Sequence, residues 1–281
     1  MSVIWGLPYL MIKVAVGGVS VPVLVFARTA VGAAILLPIA LRRVRWDVLR
    51  RRWLWLVAFA VTEVIGPWAL LSDAEHTLSS SMTGLLLAAV PIFGAVLVGF
   101  VGERLGRKQW AGLAVGFGGV ALLAAPNLHG GNLWSIAEVM LTAFGYALAP
   151  IIADRKLQDV PSIVVTVVTL AMAAIVYTPF AIASWPRETP STGVFFALGG
   201  LAVVCTALGL MLFFRLIQEA GPARAVVITY VSPVVAVAAG VILLNEPLTA
   251  TTIFSFVLIL AGSILATTRT TERVRASVEL S

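Results

Sequence analysis

The chain is poor in the residues that most enzymes use. A single cysteine, Cys205, stands in 281 residues, so neither an intramolecular disulfide nor a thiolate metal site can be assembled. There are only two histidines, His76 and His129. Both fall in segments that read as loops on one side of the apolar runs, and no H-E-x-x-H occurs, so no metal is expected. No G-x4-G-K-[ST] phosphate loop is present, which removes P-loop nucleotide hydrolysis. The Ser79-Ser80-Ser81 run has no histidine or lysine in a motif with it, and helix N-capping or close packing is the better reading than a nucleophile. Charge is scarce as well: 11% of residues are Asp, Glu, Lys or Arg, against about 25% in soluble domains. No enzyme and no cofactor are expected from such a chain.

Apolar residues fill the space, at 60% with a mean hydropathy of +1.03. A soluble fold is excluded. The reading is an all-α membrane protein, in which helices tolerate the 24 glycines and 14 prolines because neighbours satisfy freed backbone groups. A helix crosses the hydrocarbon core in about 20 apolar residues, and ten candidates appear, the first of them short for a span: 3–16, 21–41, 53–72, 79–101, 109–125, 132–153, 161–183, 193–214, 223–244 and 251–268. The first starts almost at Met1 with no basic n-region, so a cleaved signal peptide is not expected. The formal charge of +6 would point a soluble protein toward nucleic acid. Here the bases sit in short loops and determine topology instead. With the amino terminus inside, every base except Lys13, Arg28 and Arg187 falls on one side, at Arg42 to Arg52, Arg104 to Lys108, Arg155–Lys156, Arg215, Arg224 and Arg269 to Arg275.

Two stretches repeat one pattern. Pro91 to Leu105 reads P-x11-E-x-L and Pro233 to Leu248 reads P-x12-E-x-L, each followed by an apolar run with Gly119 or Gly262. The first copy's loop carries Arg104, Arg107 and Lys108, whereas the second, Pro247-Leu248-Thr249-Ala250, has no base. That reversal predicts two inverted five-helix repeats, 1–125 and 132–268, joined at Pro126 to Gly131 and followed by a cytoplasmic tail, 269–281. Both termini then face the cytoplasm. Glu103 and Glu246 end their spans on opposite faces and read as caps or packing contacts.

Ionisable groups inside spans are the functional candidates, because each costs about 2.5–3.5 kcal/mol to insert. Lys13 ends a stripe with Trp5 and Tyr9 that suits a polar cavity, or else snorkels to the outer interface. Arg28 lies well inside the second span and either pairs with Glu63 or meets a substrate. Glu63, followed by Pro67 and Trp68, and Glu138, on a face with Thr142, Gly145 and Tyr146, are proton-coupling candidates. Pro91 and Pro233 remove matched helix hydrogen bonds and are read as kinks near a shared cavity, or as static bends. Gly112, Gly116 and Gly119, and Gly262 in the matching span, permit close helix packing, with a homodimer contact as one use.

Trp5-Gly6 followed by Lys13, Pro22 with Arg28, the paired Pro91/Glu103-x-Leu105 and Pro233/Glu246-x-Leu248 ends, and the glycine-bearing fifth and tenth spans together resemble the EamA family of the drug/metabolite transporter superfamily. The resemblance covers nearly the whole chain. It implies ten helices in two inverted repeats, transport of small metabolites, often export of amino acids or related compounds, and a central cavity lined by the first four helices of each half. The expectation is a secondary active transporter of the plasma (inner) membrane working by alternating access. Trp5, Tyr9, Trp68, Tyr146 and Tyr230 would line the substrate, Lys13 and Arg28 would meet a carboxylate, and Glu63 or Glu138 would exchange a proton. Efflux of cationic drugs, or a subunit that binds lipid through the arginines at 42–52 without transporting, are the rival readings.

Overall fold

A computed structural model describes residues 1–100, 105–128, 132–220 and 228–267. Every regular element among them is helical. In chain order they are α1 (Ser2–Val16), α2 (Val21–Leu41), α3 (Trp46–Ala60), α4 (Gly66–Thr77), α5 (Ser80–Leu87), α6 (Val90–Phe100) and α7 (Arg107–Leu128). They continue with α8 (Leu133–Lys156), α9 (Ser162–Ala183), α10 (Thr192–Gly199), α11 (Gly209–Ala220), α12 (Ile228–Leu244) and α13 (Ala250–Thr267). Two stretches of π-helix, Val61–Ile65 and Gly200–Leu208, join α3 to α4 and α10 to α11 without a break. Eight of the resulting rods are long and apolar enough to cross a membrane, and α1 and Tyr230–Leu244 are shorter apolar helices.

Local chemistry sets the helix starts. Ser20 precedes α2 in an extended conformation with Pro22 in the first turn, where its missing N–H costs nothing. Ser79 caps α5 by accepting the Met82 N–H at 3.1 Å, so the serine run begins as the capping reading expected. The third span differs from expectation. It runs from Trp46 to Thr77, so Arg50, Arg51 and Arg52 lie on its first turns and His76 on its last turn, where loops were expected. Asp47 in the first turn favours a start there by complementing the helix dipole. The fifth span likewise continues through residues 126–128, into the expected linker; residues 129–131, Glu103 with Arg104, Arg224 and the tail lie outside the described residues.

Large apolar side chains face outward, among them Ile175, Ile182, Phe196 and Ile242, each at least 70% exposed. A soluble protein would bury them; here they form a lipid-facing surface. Inside, α7 packs on α13, α2 on α9, α4 on α8, α1 on α12 and α5 on α12. The α7–α13 pair is the closest. A Cβ on Gly262 would strike the backbone of Gly116, and one on Gly112 would strike Gly262 and Ala266. Gly112, Gly116, Gly119 and Gly262 are spent on this contact within the chain.

The two prolines behave differently. The fourth span is interrupted: α5 ends at Leu87, Ala88 and Ala89 form a tighter turn, and α6 restarts with Pro91 in its first turn. The freed Ala88 carbonyl accepts the Ser263 hydroxyl at 3.0 Å from α13. Pro233, by contrast, lies inside the continuous helix α12. Matched irregularity does exist, but in the third and eighth spans, as the two π segments.

Candidate functional site

The π segment at Val61–Ile65 carries Glu63 and is followed by Pro67, which has no N–H to give back to the preceding turn. Polar side chains from two other helices serve its carbonyls. Tyr177 of α9 donates to Ile65 O at 2.8 Å, and Thr142 of α8 donates to Pro67 O at 3.4 Å. Gly145 of α8 lets the helices close, because a Cβ there would meet the Thr62 carbonyl and, at 3.2 Å, Pro67. The face Glu138, Thr142, Gly145 is therefore largely a docking face for the third span.

Around this irregular segment the spans converge on Arg28. Its Nε donates to Thr206 Oγ1 at 2.9 Å, and its guanidinium carbon sits 3.6 Å from the centroid of Trp68. Thr206 is itself fixed by donating to Leu201 O at 2.8 Å within the second π segment. That i to i−5 geometry belongs to the wider π turn, so the backbone irregularity positions the hydroxyl that positions the arginine. Arg28 is buried, and no carboxylate lies within ion-pairing distance of it among the described residues. The expected Arg28–Glu63 pair does not form. Tyr9, Tyr146, Cys205 and Glu75 all lie within electrostatic reach of the guanidinium, and Tyr146 also neighbours Glu63 and Trp68. Glu63 has no cationic partner among the described residues.

The α1 stripe does point inward, but its three members do different things. Trp5 lies against Phe213 of α11, with ring centroids 4.6 Å apart. Tyr9 meets Gly84 of α5, where a Cβ would stand 3.4 Å from the ring. Lys13 neither snorkels nor pairs with a carboxylate: its ammonium donates to Glu75 O at 2.6 Å and Leu78 O at 2.7 Å. These are carbonyls of the last α4 turn, which have no acceptor role within the helix. Tyr230 is elsewhere, at a hydrogen bond of 3.0 Å to Thr267 of α13. Glu138 is buried at the α4–α8 seam, near Asp73 and Trp134. The structure thus assembles Tyr9, Arg28, Glu63, Trp68 and Tyr146, and leaves Tyr230 and Glu138 outside that group.

Three neighbours of this group were not legible in sequence. Thr206 and Cys205 sit in an apolar run with nothing to mark them. Glu75 was hidden in Asp73-Ala74-Glu75-His76, which reads as a loop. The available signal was the spacing of Leu71, Glu75 and Leu78, all now buried on one face.

The two ends of the bundle contrast. At one, Arg51 and Arg52 of α3 meet Asp159 at 3.4 and 3.1 Å, and Lys156 covers Trp55. At the other, contacts are mostly neutral: Ser20 with Ser184 at 2.8 Å and Thr77 with Ser135 at 2.7 Å. Here Glu246 holds the start of α5, accepting the Ser80 N–H and hydroxyl at 2.8 and 2.9 Å and the Ser81 N–H at 2.9 Å, with the Ser81 hydroxyl as a fourth donor. Asn245 at φ 54° turns the chain back so that Glu246 can reach, a left-handed conformation that asparagine tolerates. Burial alone would raise the Glu246 carboxyl; the serine donors outweigh it and hold it below the ordinary carboxylate range.

Comparison with known proteins agrees with this architecture. The family model described as "EamA-like transporter family" matches residues 1–125 and 133–268. The chain is 26% identical over 255 residues to the Escherichia coli (strain K12) protein named "Uncharacterized inner membrane transporter YedA", covering 88% of this chain and 81% of that one. It is 30% identical over 222 residues to the Salmonella typhimurium "Probable amino-acid metabolite efflux pump", covering 74% of each. A crystal structure at 20% identity superposes with a TM-score of 0.68 over 95% of this chain and 94% of that one, a likeness of fold. With its array of apolar helices, the chain is a multi-pass inner-membrane protein, and it belongs to the EamA-like transporter family.

Proposed function

We propose that the protein is a secondary active exporter of a small carboxylate-bearing metabolite, such as an amino acid or a related compound, working by alternating access. One observation carries the substrate class. Arg28 is a buried guanidinium oriented by Thr206 and Trp68 yet left without a carboxylate among the described residues, and an uncompensated buried charge is costly unless a ligand supplies its partner. A planar guanidinium suits a carboxylate through paired hydrogen bonds. Glu63, with no cation beside it among the described residues, would meet the ligand's ammonium group or, in its absence, a coupled proton. Tyr9, Trp68 and Tyr146 supply the aromatic surroundings. The name of the Salmonella relative, an amino-acid metabolite efflux pump, favours the same class.

In this proposal residues 1–125 and 132–268 form two inverted five-helix halves, followed by the tail 269–281, with both termini cytoplasmic. The helix pairings support it. Second meets seventh, fifth meets tenth and fourth meets ninth, while third with sixth corresponds to eighth with first. Exchanging the halves maps this set of contacts onto itself, as a two-fold axis in the membrane plane requires. The π segments of the third and eighth spans are likewise exchanged. The end bearing Arg51, Arg52 and Lys156 is then cytoplasmic.

The test is a survey of metabolites in spent medium from overexpressing and deleted cells, followed by counterflow of the solutes found in proteoliposomes. Export of an amino acid or similar carboxylate, reduced in Arg28→Gln, supports the reading. Movement of lipophilic cations, lost in Glu63→Gln and kept in Arg28→Gln, would instead establish cationic drug efflux.

A further inference from the structure

Glu75 of α4 is fully buried, and among the described residues neither of its carboxyl oxygens has a hydrogen-bond partner. Its backbone carbonyl, in contrast, is held by Lys13, whose ammonium spans Glu75 O and Leu78 O. One residue thus offers the same lysine two acceptors, one engaged and one idle. The charged and titratable groups facing this carboxyl are known from each element around it. They are Lys13 and Tyr9 on α1, Arg28 on α2 and Glu246 after α12. The neighbouring third-span π segment contributes Glu63, α8 contributes Tyr146 and Glu138, α5 contributes no ionisable side chain, and α4 itself adds Asp73 and His76. None of them hydrogen-bonds to the carboxyl oxygens.

We propose that Glu75 is a proton-binding site that exchanges Lys13 between two partners and thereby sets whether the Glu246 end of the bundle is sealed. Protonated, the carboxyl is neutral and tolerates a buried position without a partner better than an ion would. Lys13 then clamps α1 to the end of α4, the arrangement seen here. When the proton leaves to water on the arginine-rich side, the carboxylate draws the ammonium off the two carbonyls; Lys13 stays paired with α4 through Glu75, and its hold on the α4–α5 turn at Leu78 is released. Rotation of the Glu75 side chain is enough, because the competing carbonyl belongs to the same residue. The inference deepens the export reading and rests on it for direction: a proton taken up at the Glu246 end closes that end, and its loss toward the cytoplasm allows the end to open with substrate aboard. This is the order proton-for-metabolite exchange requires.

The experiment needs no substrate. Leu78→Cys, at a side chain buried beside the clamp, is placed in a Cys205→Ser background, purified into nanodiscs, and reacted with a bulky maleimide from about pH 5 to about pH 9, the span over which a buried carboxyl titrates. An ammonium hydrogen bond shifts an equilibrium by roughly tenfold or more. The labelling rate, divided by that of the same protein carrying Glu75→Gln, is expected to rise by about tenfold with pH. Glu75→Gln itself should stay slow apart from thiol ionisation, and Lys13→Met should label quickly at every pH. A ratio of parent to Glu75→Gln that stays flat across the pH range overturns the proposal. If Glu75→Gln does not fold, Lys13→Met decides: fast labelling that follows thiol ionisation alone supports the exchange, and a parent-like profile overturns it. Glu63→Gln should keep the rise, and its loss there would move the proton site to Glu63. Because no solute is present, a protein that shows the switch yet transports nothing would sink the export reading alone.

Discussion

Replacing Glu246 by Gln isolates the contact that joins the ninth span to the start of the fourth. In the native protein Oε1 accepts from Ser80 N–H at 2.8 Å and Ser80 Oγ at 2.9 Å, while Oε2 accepts from Ser81 N–H at 2.9 Å and from the Ser81 hydroxyl. Glutamine keeps one oxygen and turns an amide donor toward the Ser81 N–H, itself a donor. The hydroxyl can rotate to accept, but the backbone N–H is left unpaired. Loss of one charge-assisted bond costs about 1.5–3 kcal/mol, and loss of a carboxylate at a helix N-terminus about 0.3–1 kcal/mol more. Glu246 is only half-buried, so the lower part of that range applies, about 2 kcal/mol. That is roughly a 30-fold shift toward states in which the α5 N-terminus is free. Hydrogen exchange at Ser80 to Met82 should accelerate accordingly, and thermal unfolding in detergent should fall. The pH dependence has a definite sign. The native carboxyl titrates below its ordinary value of 4.5, so its stabilisation is complete above that pH and disappears as pH falls through the lower, native value. Glu246→Gln should therefore differ from wild type by a constant amount near neutrality and converge with it in acid. Identical exchange at neutral pH would refute the reasoning, as would a difference that grows on acidification.

Two further substitutions follow from the geometry. Arg28→Lys keeps the charge but loses the planar contact with Trp68 and the Nε bond to Thr206; apparent affinity for the exported carboxylate should weaken by roughly 10- to 100-fold, measured by counterflow, with the protein still folded. Gly262→Val forces a side chain into the Gly116 backbone and should destabilise the α7–α13 pair by about 1–3 kcal/mol, read as a lowered melting temperature in detergent; an unchanged value would mean these helices are not held this closely.

How much of this was legible in the chain depends on the kind of interaction. Span positions were readable because lipid demands long apolar runs, and the misses were at edges, as at Trp46–Thr77, where charged residues sit on helical turns at the interface. The stripe Trp5, Tyr9, Lys13 was readable as a helix face, but its use was not: Lys13 found backbone carbonyls, a partner type that leaves no mark in a sequence. Arg28 stood out as a charge in a span, yet the expected partner, Glu63, was chosen by type, and the actual one, Thr206, is 178 residues away and made available by a π turn. Pro91 and Pro233 matched in sequence and diverged in effect, since only the first sits where the helix is broken and a neighbouring serine can serve the freed carbonyl.

By itself the sequence determined that the chain is a bundle of apolar helices with its bases gathered near particular span ends, because transfer from water to lipid acts on each segment independently of the others. Only the tertiary structure decided which polar groups meet: that Arg28 rests on Thr206 and Trp68, that Glu246 caps α5, and that Glu75 lies buried with its carboxyl idle. Those outcomes depend on hydrogen-bond geometry between segments far apart in the chain, and no local pattern encodes such a distance.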